Sequence, residues 1–133
     1  VCAVGYYFIL NMVQKELFAL LSASHQVPAV RKDRHDGNGD MQAWYYQTDK
    51  TTFAFASLKG SHGKREDIPA DRFYFVSNGS GIFDINGREI EVAKGSIVAI
   101  EAHSTYDFKS VGDEPLEFFV DVGFKLDLDT IPS

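Results

Sequence analysis

The amino-acid sequence predicts an all-β domain, a barrel or sandwich of short strands, with one short helix near its N-terminus. Three observations carry that prediction. From Gln42 onward apolar residues recur with period two in short runs; Gly, Asn, Asp and Pro separate the runs; and Phe, Tyr and Trp make up 14% of the chain, enough large side chains to fill a β core. With 133 residues, 44% hydrophobic and 24% charged, the chain suits a single domain built around one core.

Residues 1–10 (VCAVGYYFIL) are apolar with no Lys or Arg before them. They match neither a signal peptide nor a span of about 20 apolar residues. The stretch reads as a strand covering a sheet edge, or as residues ahead of a start at Met12. Between 12 and 22, Val13, Leu17, Leu20 and Leu21 fall at helical spacing beside Phe18, which predicts a short amphipathic packing helix. Residues 27–40 carry Pro, Gly and charge without apolar periodicity and read as a loop, so 1–41 form an N-terminal extension and 42–133 the barrel. Within the loop, Asp36, Asn38 and Asp40 imitate the start of a calcium loop. Met41 stands where glycine is required and Gln47 where a bidentate glutamate belongs, which excludes that site. His35, beside Asp36, reads as a surface histidine.

Strands are expected over 43–47, 52–58, 72–76, 81–85, 89–92, 96–100, 106–110 and 116–122. Asn86-Gly87 has the chemistry of a two-residue hairpin turn, because both residues tolerate positive φ. Lys94-Gly95 and Gly112-Asp113-Glu114-Pro115 mark further reversals, and Asn78-Gly79-Ser80 reads as a tight turn rather than a glycosylation site. The pairs Phe53/Phe55, Phe73/Phe75, Ile90/Val92 and Phe118/Val120 alternate at i, i+2 and predict the apolar faces turned to the interior.

Charge and cysteine content narrow the function. Lys and Arg total 13 against 19 for Asp and Glu, a formal charge of -6, so nothing is spare to neutralise nucleic-acid phosphates. Nucleic acid and membrane are therefore not expected partners. The single cysteine, Cys2, can form neither an internal disulfide nor a cysteine zinc site, which points to a reducing, cytoplasmic compartment. No serine or cysteine nucleophile stands beside a base at recognisable spacing, and no phosphate-cradling glycine loop opens a helix.

From Thr52 to Val122 the sequence resembles the cupin superfamily, small jelly-roll barrels that often hold a metal ion. The run from Phe73 to Gly81 looks like the strand and turn closing the first cupin motif. Set between Gly60 and Gly79, that motif reads G-x5-[Glu66]-x-[Ile68]-x3-[Arg72]-x6-G: the spacing is kept while the family's metal ligands are replaced. The second motif falls on Gly95, Glu101, His103, Tyr106 and Ser110, with Tyr106 in place of a ligand histidine. The resemblance thus implies a cupin-like jelly roll with no metal and no other cofactor, since Ile68 offers no donor and Arg72 repels a cation.

The replaced positions supply the candidate site. Glu66 and Arg72 flank a turn and read either as a salt bridge standing in for the metal, or as a ligand clamp in which Arg72 takes an acidic group and Glu66 orients it. Tyr106 offers a hydroxyl as hydrogen-bond donor or acid/base, or simply lines the barrel, and Tyr74 joins the ligand-binding set. His62 and His103 lie in loops near the barrel mouth as candidate proton carriers or surface histidines. Three functions follow. The first is binding of a small polar or anionic molecule, a sugar or carboxylate, without metal. The second is a metal-independent sugar isomerase or epimerase using Tyr106 with His62 or His103. The third is a structural protein with a filled barrel. An apolar N-terminal strand covering an edge across a twofold suggests a homodimer.

Overall fold

Alternating apolar positions separated by turn residues lead the chain to pair with itself strand after strand. The computed structural model describes residues 20–22, 25–36 and 38–131. Its elements are β1 (Leu20–Ser22), β2 (His25–Val27), β3 (Val30–His35), β4 (Gly39–Gln47), β5 (Thr52–Gly60), β6 (Arg72–Asn78), β7 (Ser80–Ile85), β8 (Arg88–Ala93), β9 (Ile97–Ile100), β10 (Tyr106–Val111), β11 (Leu116–Asp121) and a 3₁₀ turn at Leu128–Thr130. A six-stranded sheet in the order β3-β4-β5-β11-β6-β9 faces a three-stranded sheet in the order β10-β7-β8, and all pairings are antiparallel. Residues 61–65, after β5, run along β10 through bridges Ser61↔Lys109 and Arg65↔Tyr106, which joins the two sheets.

All eight expected strands are present. The Asn86-Gly87 turn has the expected geometry, with φ of 52° and 85°, and Asp84 Oδ1 accepts from the Gly87 amide at 3.0 Å. Gly79 makes the close approach between the β6–β7 turn and Pro115: at φ +80°, a Cβ there would lie 2.3 Å from the Pro115 carbonyl oxygen.

Three expectations need correction. Residues 27–40 are not a loop: Val30–His35 form β3, paired with β4 from Val30↔Tyr45 to His35↔Asp40. This strand keeps period two, but its alternating residues are charged, so a search for apolar alternation passes over it. The helix expected over 12–22 lies outside the described residues except at Leu20–Ser22, which pair as a strand with His25–Val27; the stretch 1–10 lies outside them entirely.

The third correction concerns which side faces in. The core of the six-stranded sheet takes Met41, Ala43 and Tyr45, Ala54, Ala56 and Leu58, Tyr74 and Val76, and Leu116, Phe118 and Val120. Phe73 and Phe75 are instead 48% and 41% exposed, and Ile90 is 40% exposed. Phe53 and Phe55 lie on the outer side with Phe119, at ring separations of 5.9 and 5.2 Å. Cross-strand partners share a face, and Phe55, Phe119 and Phe75 are partners in one row across the sheet. Phe118, Val120 and Val92 do point inward as expected.

Candidate functional site

One half of the barrel is solid. Phe108 on β10 stacks with Phe83 on β7 at 4.4 Å and 7°, while Phe118 meets it edge-on at 5.2 Å. The next ring in the stack is His62, 4.4 Å from Phe108 and 16° from parallel. Beyond it the barrel is hollow. A cavity of about 230 Å³ is bordered by His62, Tyr45 and Tyr74, by Lys32 and Arg34 of β3, by Arg65 and Arg72, and by Leu126 and Ile131 of the segment after β11. That segment is tied down where the Leu126 amide donates to Thr52 Oγ1 at 2.9 Å and Gln47 Nε2 donates to the Leu126 carbonyl at 2.7 Å.

Strand parity places the polar groups. Arg72, Tyr74 and Val76 share the inner face of β6, as Tyr106 and Phe108 share that of β10. Arg72 Nη1 donates to the Tyr106 hydroxyl at 2.7 Å, the Tyr74 and Tyr106 hydroxyls are 2.6 Å apart, and the Arg72 guanidinium lies 5.8 Å from the Tyr106 ring centre and 5.9 Å from that of Phe124. Tyr106 is 1% exposed and stands behind Arg72 and Tyr74 rather than on the cavity wall. Burial, reinforced by the Tyr106 hydroxyl, raises the Tyr74 pKa well above the usual phenol value, so Tyr74 stays protonated.

His62 is held by the strand-like run along β10, where its amide donates to the Phe108 carbonyl at 2.8 Å. Its Nδ1 lies 3.0 Å from the Gly63 carbonyl. A carbonyl only accepts, so the proton sits on Nδ1 and Nε2 keeps its lone pair. Burial, followed by the charge of Arg65, lowers its pKa to about 3, and the ring is neutral at ordinary pH.

Of the residues singled out in the sequence, the structure thus brings together His62, Arg72, Tyr74 and Tyr106. It leaves two outside. The Glu66 side chain is 69% exposed and pairs with Lys64 Nζ at 3.2 Å, so no Glu66–Arg72 bridge forms. His103 is 77% exposed and pairs with Asp67 Oδ1 at 2.7 Å. Lys32, Arg34 and Arg65 border the cavity and were not singled out. For Lys32 and Arg34 the available signal was their alternation two residues apart, masked because the segment read as a loop.

The donor set does not fit a divalent metal. Among the described residues no three His, Cys, Asp or Glu side chains converge, and the cavity presents one imidazole among four cationic side chains. The charges suit an anion instead. Arg72 Nε is buried with no hydrogen-bond partner among the described residues, a donor left available in a polar wall. Among the described residues, no helix is long and apolar enough to cross a membrane.

A family model described as a cupin domain matches residues 59–123. The sequence matches no curated protein. Among solved structures, a predicted oxalate decarboxylase from Thermotoga maritima aligns with TM-score 0.61 at 18% identity, over 77% of this chain and 96% of that one. KdgF from Halomonas sp. aligns with TM-score 0.62 at 12% identity, over 74% and 90%. The cupin domain of Schizosaccharomyces pombe Cnp3 aligns with TM-score 0.57 at 6% identity, over 71% and 85%. At these identities the likeness is one of fold.

Proposed function

The chain belongs to the cupin superfamily, and from that premise we propose that it binds a small anionic molecule inside its barrel without a metal ion. One observation carries the reading: Lys32, Arg34, Arg65 and Arg72 all border a cavity whose lining residues include no carboxylate. A guanidinium presents a rigid fork of donors that matches a carboxylate or phosphate. Arg72 is already oriented by Tyr106 and meets a ligand without first having to be ordered. A barrel packed solid is at odds with the hollow half.

A second reading is favoured by His62. Its Nε2 is an unprotonated acceptor on a residue bordering the cavity, the requirement for a base in a metal-independent isomerase or epimerase. Tyr106 would act there only through Arg72 and Tyr74, and the exposed His103 takes no part.

Isothermal titration calorimetry with small carboxylates, sugars and sugar phosphates, on protein treated with a chelator, tests the proposal. Saturable binding to the chelated protein that is lost in Arg72→Gln is the expected result. Binding that requires added iron, manganese, nickel or zinc would overturn it. Turnover abolished by His62→Gln with binding retained would move the assignment to the second reading.

A further inference from the structure

The four cations around the cavity come from two separate walls. Lys32 and Arg34 project from β3, while Arg72 opens β6 and Arg65 sits on the segment that runs along β10. In the six-stranded sheet β3 and β6 are four places apart; at about 4.8 Å per strand, roughly 19 Å of sheet lies between them. Yet both border one cavity of about 230 Å³. The sheet therefore curls until the two walls meet across the same space.

Arg34 ties the first wall to the segment that carries Arg65, while Tyr106 anchors Arg72. Arg34 Nη2 donates to the Ser61 carbonyl at 3.3 Å, its Nε lies 3.2 Å from Asp36 Oδ2, and its side chain is only 11% exposed. Arg72 is held by Tyr106 at 2.7 Å. An inward lysine on an edge strand is a known way to keep that edge from pairing with another chain, and β3 is an edge among the described strands of its sheet. That role gives no reason for Arg65 and Arg72, on other elements, to converge on the same space. Asp36 already faces Arg34, so the cation of the first wall with no ion pair among the described residues is Lys32, and a ligand with one negative charge that meets Arg72 leaves Lys32 uncompensated.

The geometry points to a ligand with negative charges at two separated ends, a short dicarboxylate or a phosphorylated acid, held between the Lys32–Arg34 wall and the Arg65–Arg72 wall. This rests on the reading of the barrel as an anion site and narrows it to a ligand class. The cavity is smaller than the ~300–1,000 Å³ of pockets that take drug-sized molecules, so the spacer between the two charges is a few atoms long.

Calorimetry with succinate, glutarate, 3-phosphoglycerate, butyrate and inorganic phosphate tests it, at fixed ionic strength. The best of the first three is expected to bind at least about tenfold more tightly than butyrate, with one charge, and than inorganic phosphate, whose charges share one centre. Comparison of the dicarboxylates with phosphoglycerate identifies the preferred end group. Lys32→Ala/Arg34→Gln and Arg72→Gln should each weaken the two-ended ligand about tenfold or more, whereas butyrate loses affinity in only one of them. Circular dichroism checks that each variant is folded; if Arg72→Gln is not, Arg72→Lys keeps the charge, removes the fork and should show a smaller loss in the same direction. Butyrate or phosphate binding as tightly as succinate, or a two-ended ligand indifferent to loss of either wall, would overturn the inference while leaving the anion site standing. Absence of binding by every anion would overturn both.

Discussion

The Tyr106 hydroxyl accepts from Arg72 Nη1 at 2.7 Å and lies 2.6 Å from the Tyr74 hydroxyl, so one phenol oxygen ties a cation on the cavity wall to a second, buried phenol. Arginine has no acceptor, which fixes the direction of the first bond. At a position where the family pattern places a metal-ligating histidine, a hydroxyl here holds a positive charge in place. On the proposed reading Tyr106 positions Arg72, and Arg72 is the group that would meet the ligand.

Replacing Tyr106 by Phe keeps the ring but leaves Arg72 Nη1 and the Tyr74 hydroxyl without their partner. Stability is expected to fall by about 1–3 kcal/mol, the cost of stranding buried polar groups, and anion affinity to fall with it. Urea unfolding reads the first effect and calorimetry the second. Tyr74→Phe should be milder, because Tyr106 still accepts from Arg72. Equal losses in the two variants would contradict the order of the chain.

Acid should act through His62. The unfolded histidine takes up a proton near pH 6.5, whereas the folded one, held down by burial and then by Arg65, resists until about pH 3. Between those values the unfolded state binds more protons, so the contribution of His62 to stability is complete above the upper value and is lost as pH falls through the window. The slope approaches about 1.4 kcal/mol per pH unit for this one group. Unfolding free energies measured from pH 7 to pH 4 should fall less steeply in His62→Gln than in the parent chain.

Two glycines separate strain from steric exclusion. Gly87 has φ +85° with open space around its missing side chain, so Gly87→Ala should cost about 1–2 kcal/mol of backbone strain alone. At Gly79 the same strain is joined by a Cβ 2.3 Å from the Pro115 carbonyl oxygen. A clearly larger loss is expected for Gly79→Ala, and thermal melts of the two variants make the comparison.

Phe83 is fully buried and stacks on Phe108, whereas Phe73 is 48% exposed on the outer side of β6. Phe83→Ala should cost about 3–5 kcal/mol, and Phe73→Ala much less. Denaturant midpoints that rank the two the other way round would place the core on the wrong side of the sheet.

The strand pattern was legible because turn residues and apolar alternation coincide from β4 to β11, and the spacing of the family motif singled out Arg72 and Tyr106, which the fold brings into hydrogen-bond contact. Two features were not legible. In Phe73-Tyr74-Phe75-Val76 every residue is apolar or aromatic, so alternation marks a strand without saying which parity faces in. The inner side went to Tyr74 and Val76, which pair across the sheet with Val120 and Phe118 of the core. In β3 the inward residues are Lys32 and Arg34, opposite Ala43 and Met41, and a charged interior face carries no hydrophobic signal. The missed strand and the missed Lys32 and Arg34 thus have one cause. Glu66 was misplaced for another reason: matching a motif position fixes a residue along the chain, and here Glu66 lies in the connection after β5 with its side chain turned to Lys64.

Trp44 stands on the outer side of β4, with its ring 5.8 Å from that of Phe55 and the Arg31 guanidinium 5.3 Å from its centre. The cavity, by contrast, is bordered by Tyr45 and Tyr74. The chain therefore has two optical reporters on opposite sides of one sheet. Its single indole follows unfolding of the outer face, while a ligand bound as proposed would perturb Tyr45 and Tyr74 and with them the tyrosine bands of the near-ultraviolet circular dichroism spectrum.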